Sequence, residues 1–129
     1  MKKILVVDDS AMSRRIMRTI LETQGMEVVE AGDGIVALER YFLEKPDVVM
    51  LDLVMTGMYG LDVLGKLREM DPRAAVVVAT ADIQTSTREM AREAGASTVI
   101  TKPFVAEDLV AAVKFALEER SNDADGKAR

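Results

Sequence analysis

The chain has 129 residues, of which 22 are acidic and 17 are basic, so its formal net charge is −5. A chain of this length forms one domain that buries about 60% or more of its unfolded surface, without a disulfide or a structural metal. It contains no cysteine and no histidine, which excludes disulfides, thiolate or imidazole metal sites and nucleophiles that need either residue. Any chemistry must therefore use carboxylates, hydroxyls and lysine.

We expect no membrane-spanning segment in this sequence. Its longest apolar run, residues 74–79, is far shorter than the roughly 18 residues of a membrane span. The apolar residues 4–7 end at Asp8 and Asp9, before the hydrophobic region of a secretory signal could form. We therefore predict a cytoplasmic protein that does not contact the membrane. The acidic balance, with basic residues scattered along the chain, also argues against nucleic acid as a partner.

Strand-like apolar runs alternate with amphipathic helical patterns along the chain. We predict strands at residues 4–7, 28–29, 48–51, 74–79 and 97–100. The intervening segments predict helices whose core-facing apolar residues are Met12, Ile16, Met17, Ile20, Leu21, Ile35, Leu38, Tyr41, Phe42, Leu61, Leu64, Leu67, Leu109, Val113, Ala116 and Leu117. The segment 84–94 offers mainly Met90, Ala91 and Ala94, so we expect it to be the most loosely attached helix.

This alternation predicts an α/β domain with a mostly parallel sheet and helices on both faces, because right-handed crossovers leave few other arrangements. Central strands that are continuously apolar agree with burial on both faces. The second strand is flanked by Glu27 and Glu30, which suits an edge. We assign residues 1–120 to this domain and predict that residues 121–129, whose apolar residues are alanines alone, form a disordered tail.

Polar side chains follow four of the predicted strands. Asp8 and Asp9 follow the first strand, Asp52 the third, Thr80 the fourth and Lys102 the fifth. The carboxyl ends of parallel strands share one edge of the sheet, which is where ligands of open α/β sheets bind. We therefore expect three carboxylates, a hydroxyl and an ammonium to converge at this edge.

Such a cluster is suited to phosphoryl chemistry with Mg²⁺. Adjacent carboxylates raise each other's pKa unless a counter-charge is present, and Lys102 supplies only one positive charge. Mg²⁺ prefers oxygen ligands and is usually held by one or two carboxylates together with phosphate oxygens. A carboxylate can then accept a phosphoryl group while the metal and the lysine neutralise the charge of the transferring oxygens.

Four motifs carry a resemblance to a known family. They are ILVVDDS at residues 4–10, VVMLDLVM at 48–55 followed by Gly60, VVVATA at 76–81 and VITKPF at 99–104. In this order and spacing the sequence resembles the receiver domain of bacterial two-component response regulators, most closely the stand-alone chemotaxis type, from about residue 2 to residue 118. The resemblance implies a flavodoxin-like (βα)5 three-layer sandwich with parallel strand order 2-1-3-4-5.

The resemblance also implies roles for individual residues. Asp52 would be the phosphoacceptor and Asp9 a direct Mg²⁺ ligand, with Asp8 acting on the metal mainly through water and the backbone carbonyl of Val54 as a further ligand. Beyond the metal site, Lys102 would pair with the phosphoryl group.

Further implications concern switching and partners. Thr80 would be the switch hydroxyl, and Pro103 would follow a cis peptide bond. The phosphate would come from a sensor histidine kinase or a phosphotransfer protein. Its transfer would change the affinity for a downstream protein that the sequence does not identify. The resemblance thus implies a regulatory phosphoacceptor rather than an enzyme, one that assists its own phosphorylation and dephosphorylation.

Three departures from the family pattern bear on this interpretation. Thr56 replaces the proline of the loop after the phosphoacceptor, Tyr59 stands where many members have aspartate, and Val99 replaces an aromatic switch residue. The third departure keeps open a degenerate receiver that binds a partner without phosphorylation.

Two other functions fit the sequence less well. A haloacid-dehalogenase-type phosphatase needs an acidic residue where Val54 stands. A flavodoxin-like carrier of FMN would place a phosphate beside Asp8 and Asp9, which would repel it.

Overall fold

Five strands alternate with five helices in the computed structural model, which describes residues 1–55, 57–82 and 84–127, with side-chain surroundings as far as residue 122. In chain order the elements are β1 (Lys3–Val7), α1 (Ala11–Thr23), β2 (Glu27–Ala31), α2 (Gly34–Glu44), β3 (Val48–Leu51), α3 (Gly60–Met70), β4 (Val76–Thr80), α4 (Thr85–Glu93), β5 (Thr98–Thr101) and α5 (Ala106–Lys127). The predicted alternation of strand and helix is confirmed.

All strands pair in parallel, in the order β2-β1-β3-β4-β5. This confirms the flavodoxin-like order that the resemblance implied. In the register, Val7 at the end of β1 lies opposite Leu51 at the end of β3, and Thr80 lies opposite Thr101. The residues that follow these positions therefore meet at one edge, where the strand order reverses between β1 and β3.

The central strands bury both of their faces, as their continuous apolar runs predicted. Alternate residues of each strand point to opposite sides of the sheet. Leu5 and Leu51 pack in the layer beneath α2, α3 and α4, whereas Ile4 and Met50 pack beneath α1 and α5. The result is three layers with the sheet in the middle.

Side-chain caps fix the start of two helices directly after their strands. Ser10 Oγ accepts a hydrogen bond from the backbone N–H of Ser13 at 3.2 Å, and so caps α1. Asp33 caps α2 in the same way, accepting from Val36 N–H at 2.8 Å. Such caps satisfy backbone donors that the first helical turn leaves free. The caps thereby fix where α1 and α2 begin, a few residues after the ends of β1 and β2.

Five residues predicted to face the core are exposed, which corrects the sequence analysis. They are Met12, Ile16, Ile35, Phe42 and Met90. The part of a helix surface that contacts the sheet is narrower than the face formed by its apolar residues. In α1, for example, Met17 and Leu21 are fully buried. A residue next in sequence to a buried one is turned by about 100° around the helix axis, which places its side chain outside the interface with the sheet.

The last helix also differs from the expectation. It runs for 22 residues to Lys127, so residues 121–127 of the predicted disordered tail are helical. Extending an existing helix adds one hydrogen bond per residue without a nucleation cost. Residues 128 and 129 lie outside the described residues, and the domain boundary at residue 120 stays a prediction. Neither this helix nor any other in the described chain has the length and apolar character needed to cross a membrane.

Candidate functional site

Three aspartates converge at the edge where the strand order reverses. Asp8 directly follows β1 and Asp52 directly follows β3, and the parallel register brings them side by side. Both are buried, with exposures of 1% and 9%, whereas Asp9 is exposed. A carboxylate oxygen from each of the three lies within 4.8 Å of the other two. The structure therefore brings together the acidic residues that the sequence predicted would meet.

Lys102 reaches this cluster from the end of β5. Its Nζ donates to Asp8 Oδ2 at 2.6 Å and to Asp52 Oδ2 at 3.2 Å. A further contact joins Nζ to Ser13 Oγ at 3.4 Å. The peptide bond between Lys102 and Pro103 is cis, as the resemblance implied. The ammonium thus bridges two carboxylates that lie 44 positions apart in the chain.

Each buried carboxylate is held through both of its oxygens. Asp8 Oδ1 accepts from the backbone N–H of Ser10 at 2.9 Å, and Asp52 Oδ1 accepts from that of Val54 at 3.0 Å. The other oxygen of each residue accepts from Lys102. Turns in which an aspartate bonds the N–H two residues on are a local property of Asp. The orientation of both carboxylates is therefore set before any ligand arrives.

The charges of the site oppose one another. Burial raises the pKa of Asp52, and the neighbouring charge of Asp8 adds to that effect, although the Val54 N–H and Lys102 act against it. Burial would lower the pKa of Lys102, but its hydrogen bonds and charge interactions with Asp8 and Asp52 outweigh burial and raise it. The ammonium of Lys102 is paired with Asp8 and Asp52, and the third carboxylate, Asp9, lies beside them. Three carboxylates at such spacing favour binding of a further cation.

Thr80 and Val54 occupy positions beside the cluster. Thr80 is fully buried at the end of β4, and its Oγ1 accepts from the N–H of Asp82 at 3.2 Å. Its backbone carbonyl accepts from Lys102 N–H at 2.8 Å, which ties the ends of β4 and β5 together. Val54 has an exposed side chain, and its N–H is the one bound to Asp52. Thr56 lies outside the described residues.

Gly60 lets the loop after Asp52 pass close to the start of α3. A Cβ at this position would lie 2.4 Å from Leu53 Cα and 2.8 Å from the carbonyl oxygen of Asp52. Real Cβ atoms do not approach backbone atoms so closely. The Gly60 of the predicted motif is therefore required by packing against the backbone that carries Asp52.

Sequence reasoning missed Arg14. In the structure its Nη1 donates to the backbone carbonyl of Asp8 at 2.6 Å. Its Nε also donates to Glu30 Oε1 at 2.9 Å. Two features of the sequence could have indicated this contact. Glu30 lies on β2, the strand next to β1, and an arginine lies one turn after the residue that caps α1.

The donor set fits a hard divalent cation. Asp8, Asp9 and Asp52 offer only oxygen, and their three carboxylates outnumber the ammonium of Lys102, which bridges two of them. Oxygen-rich anionic sites favour Mg²⁺ or a similar ion over zinc or copper, which prefer nitrogen or sulfur ligands. The residues present can therefore hold such a cation beside Asp52.

Comparisons with known proteins relate this chain to one family. The family profile described as response regulator receiver domain matches residues 4–114. Chemotaxis protein CheY of Bacillus subtilis is 37% identical over 116 residues, covering 89% of this chain and 97% of that protein. Sporulation initiation phosphotransferase F of the same organism is 32% identical over 121 residues, covering 94% and 98%.

Solved structures show the same similarity. A CheY-like receiver domain protein of Methanospirillum hungatei superposes with a TM-score of 0.90 at 27% identity, covering 95% of this chain and 98% of that one. Its similarity extends over nearly the whole length of both chains.

Proposed function

Because this chain belongs to the response regulator receiver domain family, we propose that it acts in the cytoplasm as a phosphoacceptor that takes a phosphoryl group on Asp52. The observation that carries the proposal is the bridge from Lys102 Nζ to Asp8 and Asp52, at 2.6 and 3.2 Å, beside a third carboxylate. In this arrangement the carboxylate of Asp52, a residue that is 9% exposed, lies in an acidic cluster that favours binding of a cation.

In this proposal Asp52 is the nucleophile. One of its carboxylate oxygens forms the new P–O bond, and the P–N bond of a donor phosphohistidine breaks with its electron pair leaving on the imidazole. Lys102 Nζ lies 3.2 Å from Asp52 Oδ2. It can shift its ion pair from this carboxylate to a phosphoryl oxygen once Asp52 is phosphorylated. The Val54 N–H holds the other oxygen of Asp52 at 3.0 Å, so that the carboxylate presents a defined edge to the donor.

Mg²⁺ would be held by Asp9 and Asp52, with the Val54 carbonyl as a further ligand and Asp8 acting through water. Lys102 Nζ lies closer to Asp8 Oδ2, at 2.6 Å, than to Asp52 Oδ2, at 3.2 Å, and this tighter pairing supports the indirect role of Asp8. When bound, the ion supplies charge neutralisation at the phosphoryl oxygens. Thr80, buried at the end of β4, would donate a hydrogen bond from its hydroxyl to one of those oxygens and so report the phosphorylated state.

We propose that the donor is a sensor histidine kinase or a phosphotransfer protein. Exposed apolar side chains near the acceptor support docking of a protein rather than only a small molecule. Met12, Ile16, Val54 and Val105 are 50 to 73% exposed around this edge of the sheet. Apolar residues in such numbers on one rim favour a protein contact. The downstream target is a second protein.

The proposal is tested by Mg²⁺-dependent uptake of phosphate from acetyl phosphate, followed by intact-mass spectrometry. We expect one phosphoryl group on the wild type and none on Asp52→Asn. The control is Asp47→Asn, which makes the same charge change at the opposite end of β3, where Asn can still accept the hydrogen bond from Lys3 N–H. It should be phosphorylated like the wild type.

Unchanged uptake by Asp52→Asn would contradict the acceptor assignment. No uptake by the wild type would favour the alternative, a degenerate receiver that binds its partner without phosphorylation. The buried Val99, which is 7% exposed in place of an aromatic switch residue, is the feature that supports this alternative.

A further inference from the structure

Arg14 connects three elements next to the acidic cluster. It lies in the first turn of α1, and its side chain is only 20% exposed. Nη1 donates to the carbonyl oxygen of Asp8 at 2.6 Å, and Nε donates to Glu30 Oε1 at 2.9 Å. One guanidinium thus links α1, the end of β1 and the edge strand β2.

Glu30 is itself held from two sides. Its second oxygen, Oε2, accepts from Arg18 Nε at 2.7 Å. Burial would raise the pKa of Glu30, but the hydrogen bonds from Arg14 and Arg18 outweigh this, and its pKa is lowered. Glu30 is therefore ionised at neutral pH and gives the Arg14 guanidinium a fixed, charged partner.

The space for this guanidinium depends on Gly32. A Cβ at Gly32 would lie 3.3 Å from Arg14 Nη1, tighter than an ordinary contact. The absence of a side chain at Gly32, directly after β2, therefore provides space for the guanidinium of Arg14. The arginine is packed into the site rather than extended into solvent.

The carbonyl that Arg14 binds belongs to the peptide unit between Asp8 and Asp9. A peptide unit is planar, so holding its oxygen fixes the plane and with it the position of the Asp9 nitrogen and Cα. The N–H of Asp8 is held independently by the Ala31 carbonyl at 3.2 Å. The direction in which the Asp9 side chain leaves the backbone therefore depends on Arg14.

We propose that Arg14 is a positioning residue that orients the Asp8–Asp9 peptide so that Asp9 can bind Mg²⁺. This inference rests on the proposed function. For the removal of Arg14 it predicts a change in Mg²⁺ affinity opposite to the change that electrostatics alone would give. Removing a positive charge near an acidic cluster should tighten cation binding if charge alone mattered. Removing the support of a ligand weakens it, by about tenfold or more where such supports have been substituted.

The test is calorimetric titration of the metal-free protein with Mg²⁺ at constant ionic strength. We expect Arg14→Gln to weaken binding about tenfold. Arg14→Lys keeps the charge but cannot donate to Asp8 and Glu30 in the same fixed geometry, so it should also weaken binding. The matched control is Arg15→Gln, which removes the same charge from the exposed neighbour and should bind as tightly as the wild type or slightly more tightly.

The outcomes separate this inference from the function on which it rests. Arg14→Gln binding Mg²⁺ as tightly as Arg15→Gln, or full rescue by Arg14→Lys, would overturn the positioning role while leaving Mg²⁺ binding itself intact. A wild type that binds no Mg²⁺ would overturn both. If Arg14→Gln does not fold in a thermal melt, the Arg14→Lys titration decides between the two outcomes.

Discussion

At the scale of single residues, the two glycines of α3 have opposite roles. Gly60 faces the backbone of Leu53 and Asp52, where a Cβ would be only 2.4 and 2.8 Å away. Gly65 lies one and a half turns further along the same helix, and a Cβ there would meet nothing within 4 Å. A glycine in a helix interior costs roughly 0.5–1 kcal/mol relative to alanine.

We therefore expect Gly60→Ala to lower the free energy of unfolding by about 1–3 kcal/mol, as overpacking does, and to slow phosphoryl uptake because the Asp52 backbone must shift. Gly65→Ala should raise the free energy of unfolding by about 0.5–1 kcal/mol and leave uptake unchanged. Urea unfolding and acetyl phosphate labelling of both variants provide the measurement. Equal effects of the two substitutions would show that the close approach at Gly60 does not matter.

At the scale of elements, α4 is anchored more weakly than α3. The buried residue of α4 is Ala91, whereas α3 buries Gly60, Val63, Leu64 and Leu67. Polar contacts supply much of the remaining attachment: Arg88 donates to Thr101 Oγ1, and Thr87 Oγ1 donates to Asp82 Oδ2 at 2.7 Å. Segments with few buried apolar contacts open locally at low free-energy cost. This agrees with the sequence-based expectation for residues 84–94.

We expect the backbone amides of α4 to exchange hydrogen faster than those of α3 in the unphosphorylated protein. We also expect beryllofluoride, a phosphoryl mimic, to change protection in α4 and in the residues that precede it. The buried Val99 has a β-branched side chain restricted at χ1, so the movement should fall on this helix rather than on that side chain. Mass spectrometry of deuterium uptake measures both effects. Protection of α4 equal to that of α3 and unaltered by the mimic would contradict this switch.

At the scale of the whole molecule, we expect the acidic cluster to lower the stability of the metal-free fold. Carboxylate oxygens of Asp8, Asp9 and Asp52 lie within 4.8 Å of one another, and Lys102 pairs with Asp8 and Asp52, in a chain whose net charge is already −5. A ligand that binds only the folded state stabilises it, by about 2.7 kcal/mol at 100 times its dissociation constant. Removing one of the repelling charges should stabilise the metal-free protein as well.

Thermal melts should therefore show a higher midpoint when Mg²⁺ is added to the wild type. Without metal, Asp52→Asn should melt above the wild type, an exchange of function for stability that active sites often show. Asp47→Asn, at the far end of β3, should bring no such gain because it lies outside the cluster. A metal-free Asp52→Asn protein that melts below the wild type would show that repulsion in the cluster is not a net cost.

The sequence by itself determined the alternation of elements and the edge at which the polar residues meet. Apolar residues recur at different spacings in strands and in helices, which distinguishes the two kinds of element. The end of each apolar run also identifies the residue that follows a buried strand. Asp8, Asp52 and Lys102 were placed in this way, and their contacts follow from a parallel sheet. The strand order came from the family resemblance carried by four motifs.

Tertiary structure alone decided which apolar helix residues are buried and which surface charges serve the site. Met12 and Met90 have core-like spacing but are exposed, because a helix contacts the sheet along a stripe narrower than its apolar set. Arg14 has the pattern of a solvated charge, yet it binds Asp8 and Glu30. Local periodicity does not encode such contacts, since they depend on the approach of β2 to α1, which only the packed sheet defines.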